Sequence, residues 1–339
     1  MIDLLVAGGG PAGLATAIFG SMAGMNVVVV EPHRGPIDKA CGEGIMPAGR
    51  ALLERMGVET TTGRAFAGVR YHRKGVTATG RFKDGEGIGI RRTDLSETLW
   101  QRAADLGVDR RQGRIRDVEE FADSVVAMDI RARWLVAADG LNSSLRSSIG
   151  IPLLKSPPGR FGMRRHFTTE ADADFVDVYL GDEEEAYVTP IGGGVVGVAL
   201  LSSVPRRFGD GLSKFPELLG RLDEPIDRIR GAGPFGRFAA SVSKGRVALV
   251  GDAAGFLDPI TGEGIRLGFE SAELVVECLR RDALSQYEAG WRRIVRRYRW
   301  VTSGMLALRR NRYLKEAIVP VLRSAPRLFD GMLGLLGSR

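Results

Sequence analysis

The sequence predicts an α/β fold, with a parallel sheet and its helices interleaved with an antiparallel β-sheet and followed by C-terminal helices. Three observations predict it. An apolar run over residues 2–7, a glycine-rich turn, a helical stretch and four successive valines ending at Glu31 fall within about 30 residues, the order of a βαβ unit. Two later apolar runs end in Asp139-Gly140 and Gly251-Asp252, so the chain returns twice to the same kind of sheet. Between these returns lie short alternating runs broken by glycine, proline and acids, which read as antiparallel strands.

Composition is consistent with this class. The chain has 339 residues, 44% hydrophobic and 26% charged, which excludes a disordered, collagen-like or disulfide-stapled protein. Cys41 and Cys278 cannot build a disulfide framework and point to a reducing, cytoplasmic compartment. No basic leader opens the sequence, and glycines interrupt the apolar run of residues 2–18, so neither a signal peptide nor a membrane span is expected there. The net charge of +7 is uneven: residues 291–339 carry twelve Lys and Arg against Glu316 and Asp330. A basic tail is therefore expected rather than a nucleic-acid-binding surface.

Taken in order, residues 14–23 form the first helix and residues 27–30 the second strand. Residues 47–57 are helical, with Leu52, Leu53 and Met56 on one face. Residues 65–90 are short strands with turns at Lys74-Gly75 and Asp84-Gly85. A helix over residues 93–106 is capped by Thr93, and residues 107–138 form a small meander ending in a buried strand. The antiparallel sheet takes residues 164–168, 175–180, 186–189 and 195–200, with a helix near 212–222. A strand at 246–250, a helix at 264–281 and a helical tail from Leu284 complete the chain. The domains are then 1–64, 90–155 and 243–284 for the Rossmann-like part, 65–89 and 156–242 for the second sheet, and 285–339 for the tail.

Gly8, Gly10 and Gly13, with Pro11 and Ala12 between them, follow a strand and open a helix. Gly8 permits the tight turn, Gly10 a close backbone approach to a pyrophosphate, and Gly13 close packing of helix on strand. Glu31 ends the second strand, where a carboxylate accepts from ribose hydroxyls, and the pattern predicts a dinucleotide site. Asp252 is placed for a sugar alcohol such as ribityl. The turn from Pro259 through Gly262 and Gly264 to Ile265 puts backbone N–H groups at a second helix start, where they would stabilise negative charge.

Together these motifs resemble the para-hydroxybenzoate hydroxylase-like flavoprotein superfamily. Asp139-Gly140, followed by Ser144 and Arg146, matches its Asp-Gly segment, and Arg92-Thr93-Asp94-Leu95 matches its cofactor-flanking Arg pattern. The resemblance spans residues 8–268 and implies FAD, held by the glycines, Glu31, Arg92, Asp139 and Asp252, with NAD(P)H as a transient reductant. The Cys41-Gly42 loop resembles that of geranylgeranyl reductase-like proteins. Glu43 replaces their usual glycine, and the run from Glu185 to Pro190 looks more like bacterial monooxygenases. The Trp-x-Trp-x-Ile-Pro segment of flavin halogenases is absent.

The resemblance implies hydroxylation of a phenolic or quinone-like aromatic through a flavin hydroperoxide, in specialised metabolism. The alternative is reduction of isoprenoid double bonds; a third is an FAD-binding, membrane-associated protein without catalysis. Glu43, His166 and Tyr187 are the candidate catalytic residues, and Arg164 either orients an acidic substrate or is a surface residue. Cys41 faces the flavin rather than acting as a nucleophile, and Cys278 is core. His33, His72 and His166 are dispersed, so no metal site is expected. The tail reads as a helix pair on the FAD domain with solvated arginines, or as a peripheral contact with the inner membrane face.

Overall fold

The structure is a computed structural model that describes residues 1–155, 159–169 and 174–337, with side chains to residue 334. The crossing into the second sheet expected at residues 156–158 lies outside the described residues.

The first sheet follows the spatial order Ser243–Lys244, Val247–Leu249, Ile130–Ala137, Ile2–Ala7, Val27–Glu31 and Asp109–Gln112. Along this order the strands pair in parallel except the outermost Ser243–Lys244, and Val125–Ala127 adds an antiparallel partner to Ile130–Ala137. Its central strands are continuous apolar runs because helices cover both faces, and Leu4, Leu5, Val6, Val29, Leu135 and Val136 are wholly buried. Helix Pro11–Met22 packs against helix Gly264–Arg280, where Gly268 lets the backbones approach at Ala12.

The second sheet has the order Arg230–Ala232, Phe161–Thr168, Val195–Ser202, Glu184–Gly192, Phe175–Leu180, Gly68–Arg73 and Val76–Arg81. It is antiparallel except where Phe175–Leu180 runs parallel to Gly68–Arg73. That pairing joins the two separate excursions of the chain into a single sheet. Its outer face packs under Phe208, Leu212, Phe215 and Leu218. The single helix expected near 212–222 is instead two short helices, Phe208–Leu212 and Pro216–Leu219, because Pro216 starts a new one.

Two other local expectations are corrected. The meander of residues 107–138 is split: Asp109–Gln112 joins the edge of the parallel sheet, and only the later strands form a hairpin arm. Thr93 does not cap its helix; Arg92–Asp105 begins after Arg91, and the Thr93 hydroxyl donates to Asp94.

The tail forms helices Tyr287–Arg310, Arg312–Ser324 and Pro326–Gly337. Tyr287, Trp291, Val295 and Tyr298 enter the core of the parallel sheet. Val319, Leu322, Phe329 and Leu333 instead cover Phe66, Val69, Tyr71, Val176 and Val178 of the second sheet. The tail is thus not a pair resting on one domain, since both sheets leave an apolar face that needs covering.

Candidate active site

Strand Ile2–Ala7 delivers the glycine turn to the start of helix Pro11–Met22. Gly8 has φ +114°, and a Cβ there would lie 2.5 Å from the Ala138 carbonyl oxygen. A Cβ on Gly13 would lie 1.9 Å from the Gly8 carbonyl oxygen, so both positions require glycine. Gly10 precedes the helix with extended backbone, makes no side-chain cap, and faces open space. Pro11 occupies the first turn, where its missing N–H costs nothing.

Glu31 is buried beside this turn. Its Oε2 accepts from Gly9 N–H at 2.7 Å, and its Oε1 accepts from His33 N–H at 3.0 Å and lies 2.6 Å from His33 Nδ1. Burial would raise the carboxyl, but the bonds from Gly9 and His33 outweigh it and hold Glu31 below the ordinary carboxylate range. The residue expected to bind ribose therefore also pins the glycine turn, with lone pairs left over.

The return of the chain at Val247–Leu249 supplies the other half. Gly251 has φ +57° and opens toward Ala12. Asp252 is exposed and has no hydrogen-bond or ion-pair partner among the described residues. Pro259 starts a turn that ends at Gly262 (φ +67°), and helix Gly264–Arg280 begins without a side-chain cap. Ile265 packs on the main core. Glu263, next to this helix start, is turned away into a pair with Arg266.

Arg92 and Cys41 close the cradle. Arg92 is buried, and burial lowers its pKa while Cys41, Glu43, Asp38 and Asp252 oppose the drop. Its Nη1 is buried without a hydrogen-bond partner among the described residues. Burial, and then the neighbouring Glu43, pushes the Cys41 thiol up, so it rests as a neutral thiol and is a poor nucleophile. Gly42 accepts from the Thr189 hydroxyl at 2.7 Å, which ties this loop to the second sheet.

Asp139 caps its own loop through Leu145 N–H at 3.1 Å, yet its other oxygen is buried without a partner, as is the Thr261 hydroxyl. Buried polar groups in folded chains are normally satisfied. Two uncapped helix starts, the open Gly10, an unpartnered Asp252 and the orphaned atoms of Arg92, Asp139 and Thr261 are a donor and acceptor set that fits the pyrophosphate, sugars and ring of FAD.

Glu43 and His166 meet. Glu43 has φ +59° and a wholly buried carboxylate. Its Oε1 accepts from Arg92 N–H at 2.8 Å, and its Oε2 lies 2.6 Å from His166 Nε2. His166 Nδ1 lies 2.7 Å from Asp227 Oδ2. Both ring nitrogens thus face carboxylates, and the two bonds need two protons, whichever atoms carry them. Arg164 is buried between Asp38 and Asp227 (2.7 Å), so it is neither a surface residue nor open to a substrate.

Tyr187 stands apart from this group. Its hydroxyl donates to Glu185 at 3.0 Å and approaches the Ile260 carbonyl at 3.5 Å. Burial, then Glu185, raises its pKa well above the ordinary tyrosine value, so it acts as a neutral donor. Glu185 pairs with Arg160 at 2.8 Å and with Arg309 from the tail. Arg160 also grips Asp258 at 2.9 and 2.5 Å. Asp38, Asp227, Arg160, Asp258 and Arg309 are the members that sequence reasoning missed as functional. The available signal was the run Arg164-Arg165-His166 inside an otherwise apolar strand. Among the described residues no cluster could hold a metal.

Residues 1–198 match the family model described as "FAD binding domain". The chain belongs to this family of FAD-binding oxidoreductases. Within it, the chain is 28% identical to a menaquinone reductase of Mycolicibacterium smegmatis, over 85% of this chain and 79% of that protein. It is also 28% identical to a digeranylgeranylglycerophospholipid reductase of Methanoculleus marisnigri, over 86% of this chain and 81% of that protein. The fold superposes on p-nitrophenol 4-monooxygenase of Pseudomonas putida with TM-score 0.82 and 20% identity, covering 100% of this chain and 99% of the other. The family assignment agrees with the superfamily resemblance and makes FAD the cofactor of the cradle.

Proposed function

We propose that this FAD-dependent oxidoreductase is a monooxygenase that hydroxylates a phenolic or quinone-like ring carried on a lipidic molecule. Overall, dioxygen supplies one oxygen atom to a ring C–H, the other leaves as water, and NAD(P)H provides two electrons. Bound FAD supplies the redox and oxygen chemistry. The chain supplies binding, shielding and proton movement.

The observation that carries this reading is the buried Glu43–His166–Asp227 line. Glu43 stands beside Arg92 and Cys41 at the cradle, and Asp227 is partly exposed at the other end. It is a path by which a proton removed from a phenol next to the cofactor reaches solvent through two short bonds. Glu43 occupies the place where the prenyl reductases are expected to carry glycine, and a glycine there could not build the line. Tyr187, at the Ile260 turn, gives its one proton to Glu185, which leaves its oxygen to accept from a ring hydroxyl.

A second reading is supported by the two reductases, which match most of both chains. It reduces an isoprenoid double bond, with the same line delivering a proton instead of removing one. Oxygen decides between the readings. Substrate turnover by the holoenzyme is followed with NAD(P)H under air and under argon, with a long-chain phenol panel and a prenylated quinone. The proposal expects a product heavier by one oxygen atom and no product under argon. Saturation of a prenyl chain under argon would overturn it in favour of the reductase.

A further inference from the structure

We propose that the C-terminal helices dock this protein on an anionic lipid bilayer. Helix Tyr287–Arg310 buries Tyr287, Trp291, Val295, Tyr298 and Thr302 on one face. Trp300 lies opposite, 75% exposed, beside Arg293 and Arg296. In helix Arg312–Ser324 the inner face, Val319 and Leu322, covers the second sheet. Its outer face carries Tyr313 (83% exposed), Leu314, Ala317, Pro320 and Val321, all uncharged and exposed, and Leu328 continues the patch from the next helix. A helix with apolar residues on both faces has one face too many for a protein that ends at its own surface.

The charges around this face select its occupant. Arg293, Arg296, Arg310, Arg312, Arg323 and Arg327 are exposed and have no ion pair or hydrogen bond among the described residues. The three acids of these helices leave those arginines uncompensated: Glu288 pairs with Arg292, Glu316 pairs with Arg73 and Lys74, and Asp330 accepts from Arg81 N–H. The outer surface is therefore aromatic and aliphatic side chains framed by uncompensated arginines. That is the composition that lies at a headgroup boundary, with the apolar chains inserted and the guanidinium groups on lipid phosphates. A second copy fits less well, because two such faces would bring like charges together. Among the described residues no helix is long and apolar enough to cross a membrane, and the contact proposed is one of surface attachment.

Val301 and Met305 of the same helices pack in one apolar cluster with Met46, Tyr71, Val178 and Tyr187. Docking there would bring a lipid-borne substrate to the side of the molecule where Tyr187 lies, a consequence that rests on the reading of a lipidic substrate above.

The test is co-sedimentation of the full-length holoprotein with vesicles of phosphatidylcholine, with and without phosphatidylglycerol. Two variants accompany it: Tyr313→Ser/Leu314→Ser/Val321→Ser and Arg310→Gln/Arg312→Gln/Arg323→Gln/Arg327→Gln. Bound flavin and the thermal midpoint check that each folds. The holoprotein should sediment with the anionic vesicles and be released by salt, and each variant should bind ~10-fold more weakly or worse. Unchanged binding in both variants, or no binding by the parent, would overturn the proposal. So would a dimer in light scattering that the serine variant dissolves, which assigns the face to a second copy. Duplex DNA retained by the serine variant while vesicles are ignored would likewise replace the bilayer with a general polyanion. Binding is read without turnover, so its result is independent of whether the substrate reading holds.

Discussion

Asp252 and Glu43 show two ways in which a carboxylate is committed before any ligand arrives. Asp252 has no hydrogen-bond or ion-pair partner among the described residues, so its contribution belongs to the cofactor rather than to the fold. Asp252→Ala is expected to weaken FAD binding ~10-fold or more while changing unfolding of the FAD-stripped protein by less than about 0.5 kcal/mol. Flavin fluorescence titration and denaturant melts of the stripped protein read the two quantities separately. Glu43 is the opposite case, engaged by Arg92 N–H and His166. Glu43→Gln keeps the shape and removes the charge, so FAD should remain bound while turnover falls about 10²- to 10⁴-fold. Stopped-flow measurement of the substrate-dependent step checks it, and undiminished turnover would remove Glu43 from the proton path. Both residues were legible in the sequence, Asp252 from its place after a strand and Glu43 from an unexpected residue in a glycine loop. Their partners were not, because Asp227 lies 184 positions from Glu43 and only the strand pairing brings it near.

At the scale of elements, the loop from Asp258 to Gly262 is held less by its own backbone than by a buried chain of charges. Arg160 bridges Asp258 and Glu185, and Tyr298 from the tail donates to the Asp258 carbonyl at 2.8 Å and accepts from its N–H at 2.9 Å. Arg160→Met would leave two buried carboxylates facing each other with one cation fewer. It should cost about 3–5 kcal/mol and loosen the helix start that faces the cofactor. Urea unfolding of the holoprotein and of the variant measures the first effect, and flavin release rate the second. A loss below about 1 kcal/mol would show that Arg309 alone satisfies Glu185. Nothing local in the sequence marks Arg160, which precedes a strand. Its role depends on three elements that converge only after the second sheet forms.

For the whole molecule, the depressed carboxylates set the response to acid. Glu31, Asp177, Glu185 and Asp227 sit below their ordinary values of 4.5 for Glu and 3.8 for Asp, because hydrogen bonds and cations outweigh the upward push of burial. Each contributes stability that is fully present above those values and is lost as pH falls through the lower folded-state value. Glu263, raised by burial against the pull of Arg266, works in the other direction and favours the native state at low pH. Asp252 is likewise raised by desolvation, while Asp38, Asp182 and Glu316 are lowered by their arginine and lysine partners, so seven depressed carboxylates against two give a net loss of stability below about pH 4.5. Thermal melts across pH 7 to 3 should show the midpoint falling in that window, and a flat profile would contradict it. The tail belongs to this scale as well. With Tyr287, Trp291 and Tyr298 in the main core and Phe329 on the second sheet, removing it would expose both cores, so point variants are the way to test its surface.

The sequence by itself determined the parallel sheet, the glycine turn, the second strand return with Asp252, and the FAD family, because each depends on residues close together in the chain. Period, turn chemistry and helix starts are local, and local chemistry is readable without a fold. Only the tertiary structure decided that Gly68–Arg73 joins Phe175–Leu180, that Glu43, His166 and Asp227 form one line, and that Arg309 enters a buried network. It also decided which face of the tail is covered. Those features arise from contacts across about 60 to 120 residues, and their stabilisation comes from burial and charge pairing that no stretch of sequence contains on its own.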